Sequence, residues 1–79
     1  MYYVYILQSK KDYSYYTGHT DDLRRRIAQH NTKSNKYPST KKPFELVWYC
    51  AFRDKSKAIT FEKYLKSGSG FAFARKRLV

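Results

Sequence analysis

The sequence predicts an α+β domain in which helices flank a small three-stranded antiparallel sheet. Three segments rich in β-branched and aromatic residues, at 2–8, 13–18 and 44–52, are the predicted strands. Helical patterns follow the second and the third strand, and a short polar turn between the first two favours antiparallel pairing. Because the chain has 79 residues, we expect one domain spanning 1–79.

The first strand presents different side chains on its two faces, because successive residues of a strand point in opposite directions. One face carries Tyr3, Tyr5 and Leu7, and the other carries Val4 and Ile6. A polar turn at 9–12 leads into the second strand, which is expected to end at Gly18. A glycine there allows a tight turn or the close approach of a ligand.

The first helix is expected from about Asp21 to Asn31, with Thr20 or Asp21 as its cap. Helical spacing places three residues on its inner face, namely Leu23, Ile27 and His30. Arg26 borders that face. The polar, basic segment 31–43 is interpreted either as a solvated connection or as a surface that contacts phosphates.

The third strand is nearly continuously apolar and is therefore predicted to be buried on both faces. A second helix, capped by Asp54 or Ser56, runs to about residue 67, and Gly68 is expected to stop it. We expect a flexible break at 67–70. The basic and aromatic tail, 71–79, can form a third helix.

The charge balance indicates a polyanionic partner. Seventeen Lys and Arg residues against six Asp and Glu residues give a net charge of +11. This excess favours salt-sensitive, non-specific binding to nucleic acid, with an anionic membrane surface or a ribosome as the competing interpretations.

The single cysteine, Cys50, excludes an intramolecular disulfide and a Cys-based zinc site. Its position in the apolar run 46–52 predicts a small buried hydrophobic residue in a reducing compartment. The apolar run at the N-terminus is too short for a signal sequence or a membrane span. We therefore expect a cytoplasmic protein without a membrane partner.

Glu62 is the most informative single residue, because helical spacing places it between Ala58 and Leu65 on an inward face. A carboxylate there loses hydration unless it is paired or binds a metal ion. One interpretation is an ion pair with Arg26 or a lysine. The other is a Mg²⁺ ligand, since Mg²⁺ often takes one carboxylate and completes its shell with water and phosphate oxygens.

Further polar groups could act on a phosphodiester. Arg26 and His30, spaced i and i+4, can meet on one helix face, where the arginine could bind phosphate oxygens and the histidine could act as a base. Tyr5 and Tyr16 offer hydroxyls that could hold water or a phosphate oxygen. Each group alone also fits an ordinary structural role, but together with Glu62 they suit metal-assisted hydrolysis.

These residues resemble the motif of the GIY-YIG nuclease superfamily. Tyr3-Val4-Tyr5 corresponds to its first triplet and Tyr16-Thr17-Gly18 to its second. The catalytic arginine of the family, eight residues after the second glycine, falls on Arg26, and a following His or Tyr falls on His30. The metal-holding glutamate of a later helix falls on Glu62. The chain is similar to the small single-domain members of the UPF0213 type.

The similarity covers essentially residues 2–70, with two departures from the pattern. Tyr3 and Val4 replace the glycine and isoleucine of the first triplet, and no asparagine follows Glu62. The resemblance implies the GIY-YIG endonuclease fold and a one-metal hydrolysis of DNA.

In that mechanism Glu62 holds one Mg²⁺ or Mn²⁺ ion and Arg26 stabilises the developing charge. The resemblance assigns positioning or deprotonation of water to Tyr5, Tyr16 and His30, with the choice of base among them left open.

Three functions compete. They are a DNA endonuclease of low sequence specificity acting in repair or recombination, a catalytically weak or inactive nucleic-acid-binding module, and an RNA- or ribosome-associated protein. We expect DNA as the partner, with RNA as an alternative, no small-molecule cofactor, and a monomer or weak dimer. Backbone contacts are expected from Arg24, Arg25, Lys33, Lys36, Lys41 and Lys42.

Overall fold

The structure is a computed structural model that describes residues 1–31 and 41–79. In chain order its elements are β1 (Tyr2–Ser9), β2 (Tyr15–Thr20), α1 (Leu23–Asn31), β3 (Phe44–Phe52), α2 (Lys55–Lys66) and α3 (Gly68–Arg77). The predicted α+β architecture is confirmed. None of the described helices combines the length and the apolar character that crossing a bilayer requires.

The first strand lies in the middle of the sheet. The strand order is β2-β1-β3 and both pairings are antiparallel, as predicted. In the register, Tyr5 lies opposite Gly18 on one side and opposite Tyr49 on the other. This central position explains why four consecutive residues of β1, Val4 to Leu7, are at most 2% exposed.

Two hydrophobic clusters cover the two faces of β1, and they confirm the predicted division of its side chains. Val4 and Ile6 pack with Ala58, Leu65 and Ala74 from α2 and α3. On the opposite face, Tyr5 and Leu7 pack with Phe44, Leu23, Ile27 and Leu46, four residues of α1 and β3. The two faces of the sheet are therefore called the α1 face and the α2 face.

The predicted end of the second strand was wrong. Strand β2 starts at Tyr15 and continues past Gly18 to Thr20, because pairing with β1 persists as far as Thr20 opposite Tyr3. Helix α1 correspondingly begins at Leu23, and the capping interaction comes from Asp22 rather than from the predicted residues: its Oδ1 accepts the Arg25 backbone N–H at 3.1 Å.

The bounds predicted for β3 are confirmed, but its predicted burial on both faces was wrong. β3 is an edge strand, and Glu45, Tyr49 and Ala51 are exposed. Helix α1 covers only the Phe44 and Leu46 end of the α1 face, which leaves Tyr49 52% exposed.

Helix α2 is capped by Asp54, as predicted, through a 2.8 Å hydrogen bond from the Ser56 backbone. The flexible break predicted at 67–70 was wrong, because Ser67 ends α2 and also caps α3 by accepting the Gly70 backbone N–H at 3.1 Å. Gly70 lies so close to the Tyr64 carbonyl that a Cβ would overlap it. The third helix is confirmed.

Candidate active site

One group of predicted site residues lies on the α1 face. The Tyr5 hydroxyl and His30 Nε2 are hydrogen-bonded at 3.3 Å, and both side chains are fully buried. Gly18 makes this arrangement possible, because a Cβ at that position would stand 2.5 Å from the Tyr5 hydroxyl oxygen. The glycine of the second triplet thus provides space for the tyrosine of the first.

Tyr16 connects this group to the surface. Its ring lies 4.7 Å from the His30 ring, edge to face, and Phe44 packs against His30 at 5.5 Å. Tyr16 is 38% exposed, so it is the member of the group that can touch a substrate directly. Tyr5 and His30 stand behind it.

Glu62 lies on the α2 face, with its side chain only 13% exposed. Its Oε1 is hydrogen-bonded to His19 Nδ1, and its Oε2 forms an ion pair of 2.7 Å with Lys66 Nζ. His19 reaches Glu62 because it pairs with Val4 and so points to the α2 face, opposite to its neighbour Gly18. The predicted pairing of Glu62 with a lysine is therefore present.

Glu62 is held in its ionised form. Burial raises the pKa of its carboxyl, but hydrogen bonds from Lys66 and His19 and the charges of both partners outweigh that cost. The net result is a pKa below the ordinary value, and Glu62 is a carboxylate at neutral pH.

Arg26 lines a pocket of about 190 Å³ at the end of β2. The other lining residues are Tyr2, His19, Thr20, Asp21 and Lys55. Because His19 borders this pocket and also holds Glu62, it connects the predicted arginine with the predicted metal ligand.

The predicted site residues therefore fall into two groups, one on either side of β2. Tyr5, Tyr16 and His30 contact one another on the α1 face, whereas Arg26 is connected to Glu62 through the pocket and His19.

Sequence reasoning gave no role to His19. The alternation of side chains along a strand could have indicated its role. If the second strand continues past Gly18, residue 19 must point to the α2 face, where the inward side of α2 packs.

The donor set suits a single hard cation held by one carboxylate. No group of three or more His, Cys, Asp or Glu side chains in residues 1–31 and 41–79 could hold a metal ion. Glu62 is ionised and its side chain keeps a small exposed fraction, and Mg²⁺ can bind through one carboxylate with water and phosphate oxygens around it. Lys66, whose side chain is 55% exposed, can leave Glu62 for solvent when a cation binds.

Four of the six basic residues expected to contact phosphates lie in the described part of the chain. Arg24 and Arg25 are exposed on α1, and Arg25 pairs with Asp21 at 3.2 Å. Lys41 is exposed and Lys42 is half-buried, whereas Lys33 and Lys36 lie outside the described residues.

Cys50 is half-buried, and burial raises the pKa of its thiol, which fits the structural role predicted for it.

Both groups of side chains include or contact residues of β2, from opposite faces of this strand. Phosphodiester hydrolysis uses a carboxylate, a cation, and hydroxyl or imidazole groups, and β2 carries or contacts all of them. Fold and side chains thus describe a small domain of the nuclease class. The chain belongs to the GIY-YIG family, since the model of the GIY-YIG catalytic domain matches residues 1–76. GIY-YIG domains are nuclease domains that generally use a divalent metal ion, so nucleic acid is the substrate class of the family.

Relatives of this chain carry the name UPF0213. The UPF0213 protein of Streptococcus pneumoniae serotype 4 is 42% identical over 65 residues, which make up 81% of this chain and 65% of that relative. UPF0213 protein SH2523 of Staphylococcus haemolyticus is 44% identical over 68 residues, 85% of this chain and 82% of that protein. The solution NMR structure of UPF0213 protein BH0048 from Bacillus halodurans matches with a TM-score of 0.59 and 38% identity, covering 99% of this chain and 87% of that one.

Proposed function

We propose that this protein is a divalent-metal-dependent endonuclease that hydrolyses DNA phosphodiester bonds with low sequence specificity. One observation carries the proposal: an ionised, mostly buried Glu62 is held by His19 at the border of a pocket lined by Arg26. Burying a carboxylate is costly, and a site that uses its charge gives a reason for keeping it there.

Each side chain has a role that its position permits. One Mg²⁺ or Mn²⁺ ion held by Glu62 would supply Lewis-acid stabilisation of the phosphate oxygens. Arg26 binds the non-bridging oxygens and stabilises the charge that builds on them. Tyr16, exposed on the α1 face, contacts the nucleic-acid strand where it passes around the edge strand β2, and the hydrogen-bonded pair of Tyr5 and His30 supports the Tyr16 ring from behind.

Low sequence specificity follows from the kind of contact that the surface can make. Arginine and lysine side chains bind phosphates irrespective of the base sequence. The proposed contacts are those of Arg24, Arg25, Lys33, Lys36, Lys41 and Lys42. A DNA substrate agrees with the charge of +11, and we place the activity in the cytoplasm, in repair or recombination.

A plasmid-cleavage assay tests the proposal. Supercoiled plasmid is incubated with protein and Mg²⁺ or Mn²⁺, and nicked and linear products are measured. Glu62→Gln and Arg26→Gln should abolish cleavage, whereas Glu45→Gln, which removes an exposed carboxylate from β3, should cleave like the wild type. Wild-type protein that produces no more nicking than Glu62→Gln with either ion would rule out the endonuclease.

A second candidate is a catalytically weak or inactive nucleic-acid-binding module. It is favoured by the engagement of both Glu62 oxygens, one by His19 and one by Lys66, which a metal ion must disturb. This candidate predicts that the wild type binds DNA as tightly as Glu62→Gln and cleaves no faster. Comparing duplex DNA with duplex RNA in the same binding assay separates it from an RNA- or ribosome-associated protein.

A further inference from the structure

The pocket at the end of β2 receives cationic side chains from both sides of the sheet. Arg26 comes from α1, and Lys55 is the first residue of α2, the helix that packs on the opposite face. The end of the sheet is the place where both helices can reach one point. Lys55 is thus near Arg26 although 29 positions separate them in the sequence.

These two cations have no carboxylate partner among the described residues. The ion pairs in residues 1–31 and 41–79 join His19 and Lys66 to Glu62, Arg25 to Asp21, and Lys41 to Asp12. Asp21, the acidic residue of the pocket wall, is thus paired with an arginine outside the pocket. Two like charges converging on one cavity repel each other unless an anion lies between them.

The dimensions and the lining suit one phosphate group. A volume of 190 Å³ equals the share of about six water molecules, at ~30 Å³ each in the liquid. Tyr2 and Thr20 complete the wall, and the Thr20 hydroxyl is held by the Asp22 backbone. Phosphate oxygens accept several hydrogen bonds at once, and those from cations are the strongest.

We propose that this pocket holds a phosphate group of the nucleic-acid backbone, whose oxygens are bound by Arg26 from one side and Lys55 from the other. The inference rests on the proposed function, because it places that phosphate beside His19 and therefore next to Glu62. Lys55 is then a substrate-binding residue that sets the position of the strand relative to the metal ligand.

The test uses dimethyl phosphate, a minimal phosphodiester, titrated into the wild type without divalent ions and followed by backbone amide NMR shifts. Shifts should concentrate at His19, Thr20 and Lys55. Lys55→Gln should weaken this binding about tenfold, the loss of one charge-assisted contact, and Lys55→Arg should retain it. The matched control is Lys57→Gln, because Lys57 lies on the same helix but lines a separate groove with Phe61 and Tyr64.

A duplex-binding measurement gives the second readout. Without divalent ions, the logarithm of the duplex binding constant is plotted against the logarithm of the salt concentration. The slope should become shallower by about 0.9 in Lys55→Gln, the value for one phosphate contact. It should be unchanged in Lys57→Gln. Equal losses in both variants, or none in either, would overturn the proposal. Dimethyl phosphate that binds through Lys55 in a protein that cleaves no DNA would leave the phosphate site standing and reject the endonuclease.

Discussion

His19 Nδ1 donates a hydrogen bond to Glu62 Oε1 across the interface between β2 and α2. The direction follows from chemistry, since the ionised carboxylate has no proton to give. This bond fixes the orientation of the carboxylate and of the imidazole ring at the same time. If Glu62 binds the metal ion as proposed, a residue that orients its carboxylate should affect metal affinity and activity.

We therefore predict that His19→Ala lowers metal-dependent cleavage about 10–100-fold, the usual effect of removing a partner that orients a metal ligand. Glu62 would keep its charge through Lys66 but lose its fixed orientation. His19→Asn, whose side-chain amide can donate to Glu62, should recover part of the activity. Rates measured over a Mn²⁺ titration separate weaker metal binding from slower chemistry, and activity unchanged in His19→Ala would remove His19 from the site.

Replacing Lys66 should have the opposite effect on metal binding. Lys66→Gln removes a cation that occupies Glu62 Oε2 at 2.7 Å, so a divalent ion no longer competes with it. We expect tighter Mn²⁺ binding by calorimetry and a stability change within ~1 kcal/mol, because one partner of the pair is exposed. Lys63→Gln, an exposed neighbour on α2, is the control. Equal Mn²⁺ affinity in both variants would show that Lys66 does not compete.

Acid should remove the stabilisation that Glu62 provides. Because its pKa is lower in the folded protein than the ordinary 4.5, the charge stabilises the fold above that pH. The contribution is lost as the pH falls through the folded-state pKa. We expect the difference in unfolding free energy between the wild type and Glu62→Gln to be larger at pH 6 than at pH 3, by urea denaturation.

The comparison with Glu62→Gln isolates this one carboxyl group. Two exposed carboxyls, Asp12 and Asp54, also have lowered pKa values. Hydrogen bonds from Ser14 lower the pKa of Asp12 to about 2. Hydrogen bonds from Ser56 lower the pKa of Asp54. Both are present in the wild type and the variant, so their effects cancel. A difference that grows towards low pH would contradict the lowered pKa of Glu62.

Local patterns predicted most of the fold. The period of two in β1 identified its two faces, and Asp54 was recognisable as a cap because cap chemistry involves only neighbouring residues. The prediction of a flexible break at 67–70 is wrong because serine and glycine are typical both of a flexible linker and of a helix start. Ser67 serves as a cap only because α3 continues and packs beside α2.

The residues of the candidate site could be proposed from the sequence, but which of them contact one another could not. The contact of His19 with Glu62 joins residues 43 positions apart, and it depends on β2 continuing past Gly18. Strand alternation then separates Tyr16 and His19 onto opposite faces. Which side chains meet around the edge strand is decided by this register, and a sequence pattern alone does not fix the register of a strand this short.

The close packing of Tyr5 over Gly18 predicts that a larger residue at position 18 destabilises the fold. A Cβ at position 18 would stand 2.5 Å from the Tyr5 hydroxyl oxygen and 2.7 Å from Cζ, so Gly18→Ala must displace a fully buried ring. We expect a loss of about 1–3 kcal/mol in unfolding free energy, as for an overpacked core, together with loss of the hydrogen bond to His30. Urea denaturation and the NMR shifts of the His30 ring measure the two effects.

Two further variants identify the cause of that loss. Gly68→Ala is the matched control, because nothing lies within 4 Å of a Cβ there and alanine favours the start of α3. Adding Tyr5→Phe to Gly18→Ala removes the atom nearest the new methyl group and should recover part of the lost stability, although Tyr5→Phe alone gives up the bond to His30. If the loss of stability in the double variant equals the sum of the losses in Gly18→Ala and Tyr5→Phe, the strain does not arise at the hydroxyl oxygen.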